Sequence, residues 1–338
     1  MFIKDENVQL FLEQSLKKSD FKIIQLAGDA STRKYYRVVV DNQSLVLMKW
    51  DPFQPEKYPF ISVLNHFAEA GVHVPKIIDM SAKDGLVLLE DLGDLTLERK
   101  FWEQKTPENS FPYYKLAIDE IIKIHYSASV IKKPCTAFDI EFNTEKFLWE
   151  MNYGKDNLIK GVLGFNLSAQ AEAEIIAIFT KISEILHNEP KYISHRDYHS
   201  RNLMIKFDKM CVIDFQDARL GPVQYDLVSL VKDSYVDIPD GYGQKILDYY
   251  FERAKEFNKT FDVSHFNYIY ELQSIQRCFK ACGSFASFFH QREDRRYLKY
   301  LTPTLRRVIK SLASFPEYKT FTNLLIDSGA LEKDFEAC

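Results

Sequence analysis

Three oxygen-bearing side chains stand close together in the sequence near residue 200. Asp197 is followed five positions later by Asn202, and Asp214 comes twelve positions after that. A carboxylate can orient a hydroxyl group and accept its proton, while an amide and a second carboxylate offer the hard oxygen ligands that Mg²⁺ prefers. Enzymes that transfer phosphoryl groups place a base, an amide and a carboxylate in this order. The spacing therefore predicts phosphoryl transfer, with Asp197 as the base and Asn202 and Asp214 as magnesium ligands.

A predicted hairpin explains how the two magnesium ligands can meet. Residues 203–206 and 210–213 are short apolar segments separated by a turn. Pairing them brings Asn202 and Asp214 to the same end of the hairpin. An isolated Asp-x4-Asn is common by chance, but the whole pattern of His-x-Asp-x4-Asn, an apolar hairpin and Asp-Phe is much rarer.

Composition limits the class of protein. The chain has 338 residues, of which 46% are apolar and 27% charged, which suits one bilobal domain or two moderate ones. A net charge of −4 gives no reason to expect a nucleic-acid partner. Five scattered cysteines fit a reducing compartment. The first residues lack the basic-then-apolar layout expected of a signal peptide, and no apolar run approaches about 20 residues. We expect a cytoplasmic protein without a membrane partner, and the oligomeric state stays open.

The elements that must position this chemistry begin with a small sheet. Alternating apolar residues and turn signals predict strands at 21–27, 35–40, 44–50, 76–80 and 86–91. Helical spacing predicts helices at 5–18 and 56–70. From residue 94 onward the pattern becomes mainly helical, with a long helix over about 263–290. We therefore expect a small N-terminal lobe over residues 1–91 and a large helical C-terminal lobe over residues 92–338.

Three features of the first ninety residues could hold a nucleotide. A polar, glycine-containing loop between strands can direct N–H groups at phosphates, and Lys49 ends the third strand, where a kinase places a phosphate-pairing lysine. The end of the strand at 86–91 is a plausible hinge against an adenine edge. The predicted nucleotide-binding residues are Gly28, Asp29, Ala30, Ser31, Thr32, Lys49, Glu90, Asp91 and Leu92. A simple hairpin turn and a solvated lysine are the competing interpretations of the loop and of Lys49.

Several longer motifs resemble one known family. They are Gly28-Asp-Ala-Ser-Thr-Arg-Lys-Tyr-Tyr-Arg-Val38, Leu88-Leu-Glu-Asp-Leu-Gly-Asp94, His195-Arg-Asp-Tyr-His-Ser-Arg-Asn-Leu-Met204, Asp214-Phe-Gln-Asp-Ala-Arg219, Gly221-Pro-Val-Gln-Tyr-Asp-Leu227 and Asp233-Ser-Tyr235. Their order and spacing resemble the aminoglycoside phosphotransferase and choline kinase superfamily over roughly residues 25–310. Within it, they are most similar to the anomeric kinases that act on N-acetylmuramate and N-acetylglucosamine in cell-wall recycling.

The resemblance implies a protein-kinase-like α+β fold with two lobes, and ATP and Mg²⁺ as cofactors. It implies that Asp197 is the base, that Asn202 and Asp214 hold the metal, and that the loop and the hinge hold the nucleotide. His195, Arg196 and Asp226 would brace the catalytic loop. The family often has an aspartate where this chain has Lys49, so a phosphate-pairing role for Lys49 is not inherited.

The last third of the chain bears on the phosphate acceptor. Residues 241–310 contain thirteen Lys or Arg and seven Asp or Glu, an excess that disfavours a polycationic acceptor such as an aminoglycoside. A basic helical surface that only faces solvent would show the same excess of Lys and Arg. Polar residues along the helix at 263–290 could bind sugar hydroxyls, an acetamido group or a carboxylate. The predicted substrate-binding residues are His199, Asp233, Gln276, Arg277 and Lys280, and for His199 a bracing role fits equally well.

The sequence therefore predicts a kinase for a small-molecule sugar. A kinase for another small alcohol is the runner-up. A nucleotide-binding pseudokinase is the alternative of a different class, and the joint presence of Asp197, Asn202 and Asp214 disfavours it.

Overall fold

A five-stranded antiparallel sheet forms the N-terminal part of the molecule, in the order β1-β2-β3-β5-β4. The computed structural model describes residues 5–26 and 33–337. The strands are β1 (Lys22–Gln25), β2 (Lys34–Val40), β3 (Gln43–Lys49), β4 (Ile77–Ser81) and β5 (Leu86–Glu90). Strand β5, which lies between β3 and the edge strand β4, is apolar along most of its length because both of its faces are covered.

Each face of the sheet packs against different elements. Helix α1 (Glu6–Leu16) covers the outer face, where Val8, Leu12, Leu47 and Leu88 form a small cluster. Residues on the other face, among them Met48, join the main core of the molecule together with α2 (Pro59–Glu69). Because side chains alternate along a strand, this packing decides which residues of β3 can face the interior cleft.

The rest of the chain is mainly helical. The helices are α3 (Leu97–Trp102), α4 (Phe111–Ile122), α5 (Thr144–Gly154), α6 (Ala169–His187), α7 (Gln224–Val231), α8 (Asp240–Ala254), α9 (Val263–Arg292), α10 (Leu301–Leu312) and α11 (Lys319–Asp327). Two of them continue as π-helical turns, α4 through Lys123–Ala128 and α5 through Lys155–Val162. No helix in the described part of the chain is long and apolar enough to cross a membrane.

Helix α9 lies at the centre of the helical part. It packs against α5, α7 and α10, and most of its residues are buried. Two glycines allow the closest approach, because a Cβ on Gly283 would lie 2.6 Å from the Cα of Gly154. Helices α5 and α9 therefore cross nearly in backbone contact, and this crossing fixes which side chains of α9 face α5.

Two short antiparallel pairs carry the catalytic strip. Strand β6 (Tyr192–Ser194) pairs with β9 (Arg219–Gly221), and β7 (Leu203–Lys206) pairs with β8 (Lys209–Val212). The second pair is the predicted hairpin. Its register places Leu203 opposite Val212, so the residues that flank the hairpin meet at its open end.

Candidate active site

The catalytic loop, residues 195–202, runs from the end of β6 to the start of β7. Two of the residues around it have left-handed backbone conformations, with φ of +81° at Arg196 and +63° at Asp214. Such conformations are unfavourable for residues with a side chain, and they persist where surrounding contacts enforce them. The loop should therefore be held by specific bonds, which the structure shows.

Asp226, near the start of α7, supplies the first of these bonds. Its carboxylate accepts hydrogen bonds from the backbone N–H groups of His195, at 2.7 Å, and of Arg196, at 2.9 Å. The His195 ring spans the loop, with Nε2 2.9 Å from the carbonyl oxygen of Ile213 and Nδ1 3.3 Å from the backbone nitrogen of Asp197. The structure thus places His195 and Asp226 where a bracing role is predicted.

His125 provides a second brace, which the sequence did not predict. The buried His125 lies between the carboxylate of Asp226, 3.3 Å from its Nε2, and the hydroxyl of Tyr250, 3.1 Å from its Nδ1. Its position on an apolar helix predicts only a core histidine. The contact joins residues 101 positions apart, so local sequence carries no signal of it.

Arg201 forms a third brace. Its guanidinium binds both carboxylate oxygens of Glu98 at 2.9 Å, donates to the Tyr300 hydroxyl at 2.8 Å and lies over the ring of Tyr235. Arg196, also predicted to brace the loop, pairs with Asp217 at 3.0 Å. Arg201 and Asp217 both lie within the motifs quoted above, and this position is the sequence feature that could have indicated their role.

The two predicted metal ligands meet beside the base. Asn202 Nδ2 donates to the backbone oxygen of Asp197 at 2.8 Å and lies 3.4 Å from Asp214 Oδ2. In this orientation the amide oxygen of Asn202 and the carboxylate of Asp214 can serve as metal ligands. Gln216 Nε2 donates a hydrogen bond to Asp214 Oδ1 at 2.9 Å. One amide and one carboxylate oxygen, completed by phosphate and water, fit the coordination that Mg²⁺ prefers. The roles themselves stay predictions.

The environment of Asp197 is strongly positive. Burial alone would raise the pKa of this carboxyl group, but neighbouring positive charges outweigh burial and hold its pKa well below the usual range. The cations are Lys280, Arg196 and Arg277, and Arg277 Nη2 lies 3.8 Å from Asp197 Oδ1. Asp197 is therefore ionised near neutral pH and can accept a hydrogen bond from a hydroxyl group.

A cleft of about 510 Å³ lies between the sheet and the catalytic hairpin. Its lining includes Val46 and Leu89 from the sheet, Leu92 from the hinge, and the predicted metal ligands Asn202 and Asp214. Its size is within the range of cofactor sites. A nucleotide with its base at the hinge could direct its phosphates toward Asp214.

The hinge is fixed by a lysine from β7. Lys206 Nζ donates to the Glu90 carboxylate at 2.8 Å and to the backbone oxygen of Asp91 at 2.7 Å. The backbone N–H of Leu92 has no hydrogen-bond acceptor within residues 5–26 and 33–337, so it remains available to an adenine edge. Glu90, Asp91 and Leu92 all line the cleft, in agreement with their predicted placement.

Arg37 lines the same cleft. Its guanidinium pairs with Asp91 at 2.6 Å and with Asp94 at 2.9 Å. Sequence reasoning did not single out Arg37, although all three residues belong to the quoted motifs. The pair joins β2 to the hinge and so limits how far the sheet can move away from it.

The predicted phosphate contact of Lys49 does not fit the structure. Lys49 lies on the same face of β3 as Leu47, the face covered by α1, and its ammonium pairs with Asp5 at the start of that helix. The side chain that faces the cleft side from the end of β3 is Met48. The predicted phosphate loop, Gly28, Asp29, Ala30, Ser31 and Thr32, lies outside the described residues.

A second cavity, of about 380 Å³, adjoins the base on the other side of the loop. Asp197, His199, Tyr235, Arg277 and Lys280 contribute to its lining. Burial lowers the pKa of His199 to about 3, so this ring is neutral near pH 7, and its Nδ1 has no partner in the described part of the chain. The structure thus places four of the five predicted substrate-binding residues, His199, Asp233, Arg277 and Lys280, around a cavity next to the base.

Two of the predicted substrate-binding residues, Asp233 and Gln276, have hydrogen-bond partners within the protein. Asp233 borders this cavity, but its two carboxylate oxygens accept hydrogen bonds from the backbone N–H groups of Ser200 and Tyr235, each at 2.8 Å. Gln276 is buried against α5, where it donates to the Glu150 carboxylate at 2.9 Å. Gln276 does not line the cavity and both ends of its amide have internal partners, so its predicted substrate contact does not fit the structure. The predicted contact of Asp233 stays a prediction.

Comparison with known proteins gives the family. A model of the phosphotransferase enzyme family matches residues 22–258. The chain belongs to this phosphotransferase enzyme family. Two proteins named N-acetylmuramate/N-acetylglucosamine kinase are similar to this phosphotransferase. The one from Pseudomonas aeruginosa is 29% identical over 320 residues, 90% of this chain and 88% of that protein. The one from Pseudomonas putida is 30% identical over 281 residues, 80% of this chain and 78% of that protein.

Solved structures confirm the kinase-like α+β fold of this phosphotransferase. The choline kinase from Cryptosporidium parvum has a TM-score of 0.62 at 12% identity, with 96% of this chain and 97% of that chain covered. The aminoglycoside phosphotransferase APH(2″)-Ib, solved with ADP, has a TM-score of 0.58 at 16% identity, with 97% and 99% covered. At these identities the likeness concerns the fold.

Proposed function

We propose that this phosphotransferase transfers the γ-phosphoryl group of ATP, with Mg²⁺, to the anomeric C1 hydroxyl of N-acetylmuramate, N-acetylglucosamine or both. The observation that carries the proposal is the position of the catalytic strip between two cavities. Asn202 and Asp214 line the cleft at the hinge, while Asp197 lines the cavity on the other side. A phosphoryl donor in the first cavity and an acceptor hydroxyl in the second would meet at these three residues.

The chain's own residues would then perform three tasks. The Leu92 N–H at the hinge would orient the nucleotide, and the amide oxygen of Asn202 and the carboxylate of Asp214 would hold Mg²⁺, which would neutralise charge on the phosphates. Asp197 accepts the hydrogen bond of the acceptor hydroxyl and receives its proton as the new P–O bond forms. The transfer is direct and in line, without a covalent enzyme intermediate.

The depressed pKa of Asp197 supports an anomeric hydroxyl as the acceptor. A carboxylate surrounded by cations is a weak base, and a weak base works best on an acidic hydroxyl. The anomeric hydroxyl is the most acidic one of a reducing sugar, because the ring oxygen withdraws electron density from C1. An amino-alcohol hydroxyl lacks this activation.

The charge of the acceptor cavity supports a neutral or anionic sugar. Four cationic side chains line it, Arg196, Lys232, Arg277 and Lys280, against the two carboxylates of Asp197 and Asp233, and the His199 ring is neutral. Such a cavity disfavours choline and polycationic aminoglycosides, because like charges repel. It suits an N-acetyl sugar, and the lactyl carboxylate of N-acetylmuramate would be accepted. The printed names of the two Pseudomonas relatives agree with this choice.

Two wider assignments belong to the same proposal. Both amino sugars are components of peptidoglycan, so we place the reaction in peptidoglycan recycling, in the cytoplasm where ATP is available. We also place the lobe boundary between Asp91 and Leu92, where β5 has ended and the chain enters the hinge.

A panel of acceptors tests the proposal. ADP release is measured with N-acetylmuramate, N-acetylglucosamine, choline and an aminoglycoside, each with Mg²⁺ and ATP. Turnover is expected with the two amino sugars alone, and the product should show its phosphate on C1 by phosphorus–proton NMR correlation. The methyl glycoside of N-acetylglucosamine is the matched control, since its C1 oxygen is blocked and it should not react. Turnover of the glycoside, or phosphate on C6, would overturn the C1 assignment.

A further inference from the structure

Phosphoryl transfer needs positive charge near the transferring group, where negative charge is spread over three oxygens. In many kinases a strand lysine reaches the nucleotide phosphates. Here Lys49 faces α1 and pairs with Asp5, and Met48 takes the inward position on β3. A side-chain cation that serves the transferring group beside Mg²⁺ must therefore come from elsewhere in the site.

The arginines around the two cavities already form ion pairs or hydrogen bonds with other residues. Arg37 pairs with the carboxylates at the hinge, and Arg196 pairs with Asp217 at 3.0 Å. Arg277 donates through Nε to the Ser229 hydroxyl at 3.0 Å and lies beside Asp197. Their positions are fixed by these bonds.

Lys280 differs from all three. It lies on α9 one turn after Arg277 and lines the acceptor cavity together with Asp197. Within residues 5–26 and 33–337 its ammonium donates no hydrogen bond and forms no ion pair. Both residues line the same cavity, and the positive charge of Lys280 contributes most among the neighbouring cations to lowering the pKa of the Asp197 carboxyl group. A largely buried cation without a partner is costly unless an anion arrives to pair with it.

We propose that Lys280 is a further catalytic residue, whose ammonium contacts the phosphoryl group as it passes from ATP to the acceptor. The inference rests on the proposed function, since it takes Asp197 as the base. The acceptor oxygen must lie within hydrogen-bonding reach of Asp197, and the phosphorus atom is one bond beyond that oxygen. A cation beside Asp197 can therefore reach the oxygens of the transferring group.

The acceptor's own carboxylate is the competing partner for Lys280. In N-acetylmuramate the lactyl group is attached at C3, on the far side of C2 from the reacting C1. When C1 is at Asp197, the carboxylate is directed away from the base. The proximity of Lys280 to Asp197 therefore favours the phosphoryl group.

The test compares Lys280→Met and Lys280→Arg with N-acetylmuramate and with N-acetylglucosamine. Methionine keeps the length of the side chain and removes its charge. We expect kcat of Lys280→Met to fall about 100-fold or more, by the same factor for both acceptors, with little change in the KM values. Lys280→Arg should give a kcat between those of Lys280→Met and the wild type. Lys245→Met, at an exposed position of α8, is the matched control and should keep wild-type kinetics.

A binding measurement separates this role from a structural one. ADP and ADP with aluminium fluoride, which imitates the transferring group, are titrated with Mg²⁺ and acceptor present. Lys280→Met should bind ADP as the wild type does and lose affinity for the fluoroaluminate complex. If Lys280→Met does not fold, Lys280→Gln replaces it with the same expectations.

Two results would overturn the assignment. One is an unchanged kcat. The other is a defect confined to the KM of N-acetylmuramate, which would make Lys280 a carboxylate anchor. Either can occur in an active sugar kinase, so the proposed function would survive them. A wild-type protein that phosphorylates neither sugar would instead reject the proposed function itself.

Discussion

Asp226 Oδ2 lies 2.7 Å from the backbone nitrogen of His195, which precedes it by 31 positions. The same carboxylate binds the next N–H group through Oδ1 and contacts His125. A single buried side chain from α7 therefore holds the entry to the catalytic loop. The strained backbone at Arg196 depends on this bond.

Asp226→Asn should weaken both stability and catalysis. An amide NH₂ would replace one acceptor oxygen and face an N–H donor, so the free energy of unfolding should fall by about 2 kcal/mol, which urea denaturation measures. kcat should fall while the ATP dissociation constant changes little, because the nucleotide cleft is unaffected. Asp237→Asn, at a side chain that is 91% exposed, is the control and should behave as the wild type.

Asp197→Ala should abolish the chemical step and leave the nucleotide cleft intact. Loss of a general base lowers kcat by about 10²- to 10⁴-fold. Because Asp197 lines the acceptor cavity and not the nucleotide cleft, ATP affinity measured by calorimetry should change little. Full activity in this variant would contradict the assignment of Asp197.

The activity should decrease at alkaline pH through Lys280. Burial lowers the pKa of Lys280 to about 8, and the carboxylate of Asp197 partly opposes this. If the ammonium form is required, kcat/KM is constant below pH 8 and falls above it. The pKa of Asp197 lies well below its usual range, so this group should cause no acid limb in the range where the protein is folded. Lys280→Arg should remove the alkaline limb.

The lowered pKa of Lys280 also makes the free energy of unfolding depend on pH, and in the opposite direction to the activity. Between pH 8 and the ordinary lysine value of 10.5 the unfolded chain binds more protons at this position than the folded one. The contribution of Lys280 to the free energy of unfolding therefore rises with pH in this window. A loss of activity that coincides with unfolding would not support the titration of Lys280.

Lys49→Met should leave catalysis nearly unchanged. Lys49 pairs with Asp5 on the outer face of the sheet, where both side chains are partly exposed. Such ion pairs contribute about 1 kcal/mol or less, so the thermal midpoint should fall only slightly. kcat and the KM for ATP should stay within about twofold of the wild type. A large loss of kcat would mean that Lys49 reaches the phosphates after all.

Gln276→Ala should affect folding and not acceptor binding. Gln276 donates to the buried carboxylate of Glu150, so its removal leaves a buried charge less well solvated. We expect the free energy of unfolding to fall by about 2 kcal/mol and the acceptor KM to stay unchanged. Gln244→Ala is the matched control, since the Gln244 amide donates to the exposed Asp248 on its own helix. A raised acceptor KM with normal stability would restore the predicted substrate contact.

Sequence patterns determined the secondary-structure elements and the order of the predicted catalytic residues along the chain. Alternation and helical spacing are local properties, and they predict the five strands of the sheet, the catalytic hairpin and the long helix α9 close to their observed bounds. The spacing of Asp197, Asn202 and Asp214 around a hairpin likewise places the three side chains together, because a hairpin fixes which residues meet at its ends.

Only the tertiary structure decided which of the polar residues face the site. Whether Lys49 faces the cleft depends on which face of the sheet α1 covers. Whether Gln276 or Lys280 faces the acceptor cavity depends on how α9 is rotated against α5, and the contact between Gly154 and Gly283 fixes that rotation. The brace from His125 to Asp226 joins two helices distant in sequence. These orientations and contacts are set by packing between elements, and neither periodicity nor a local motif predicts them.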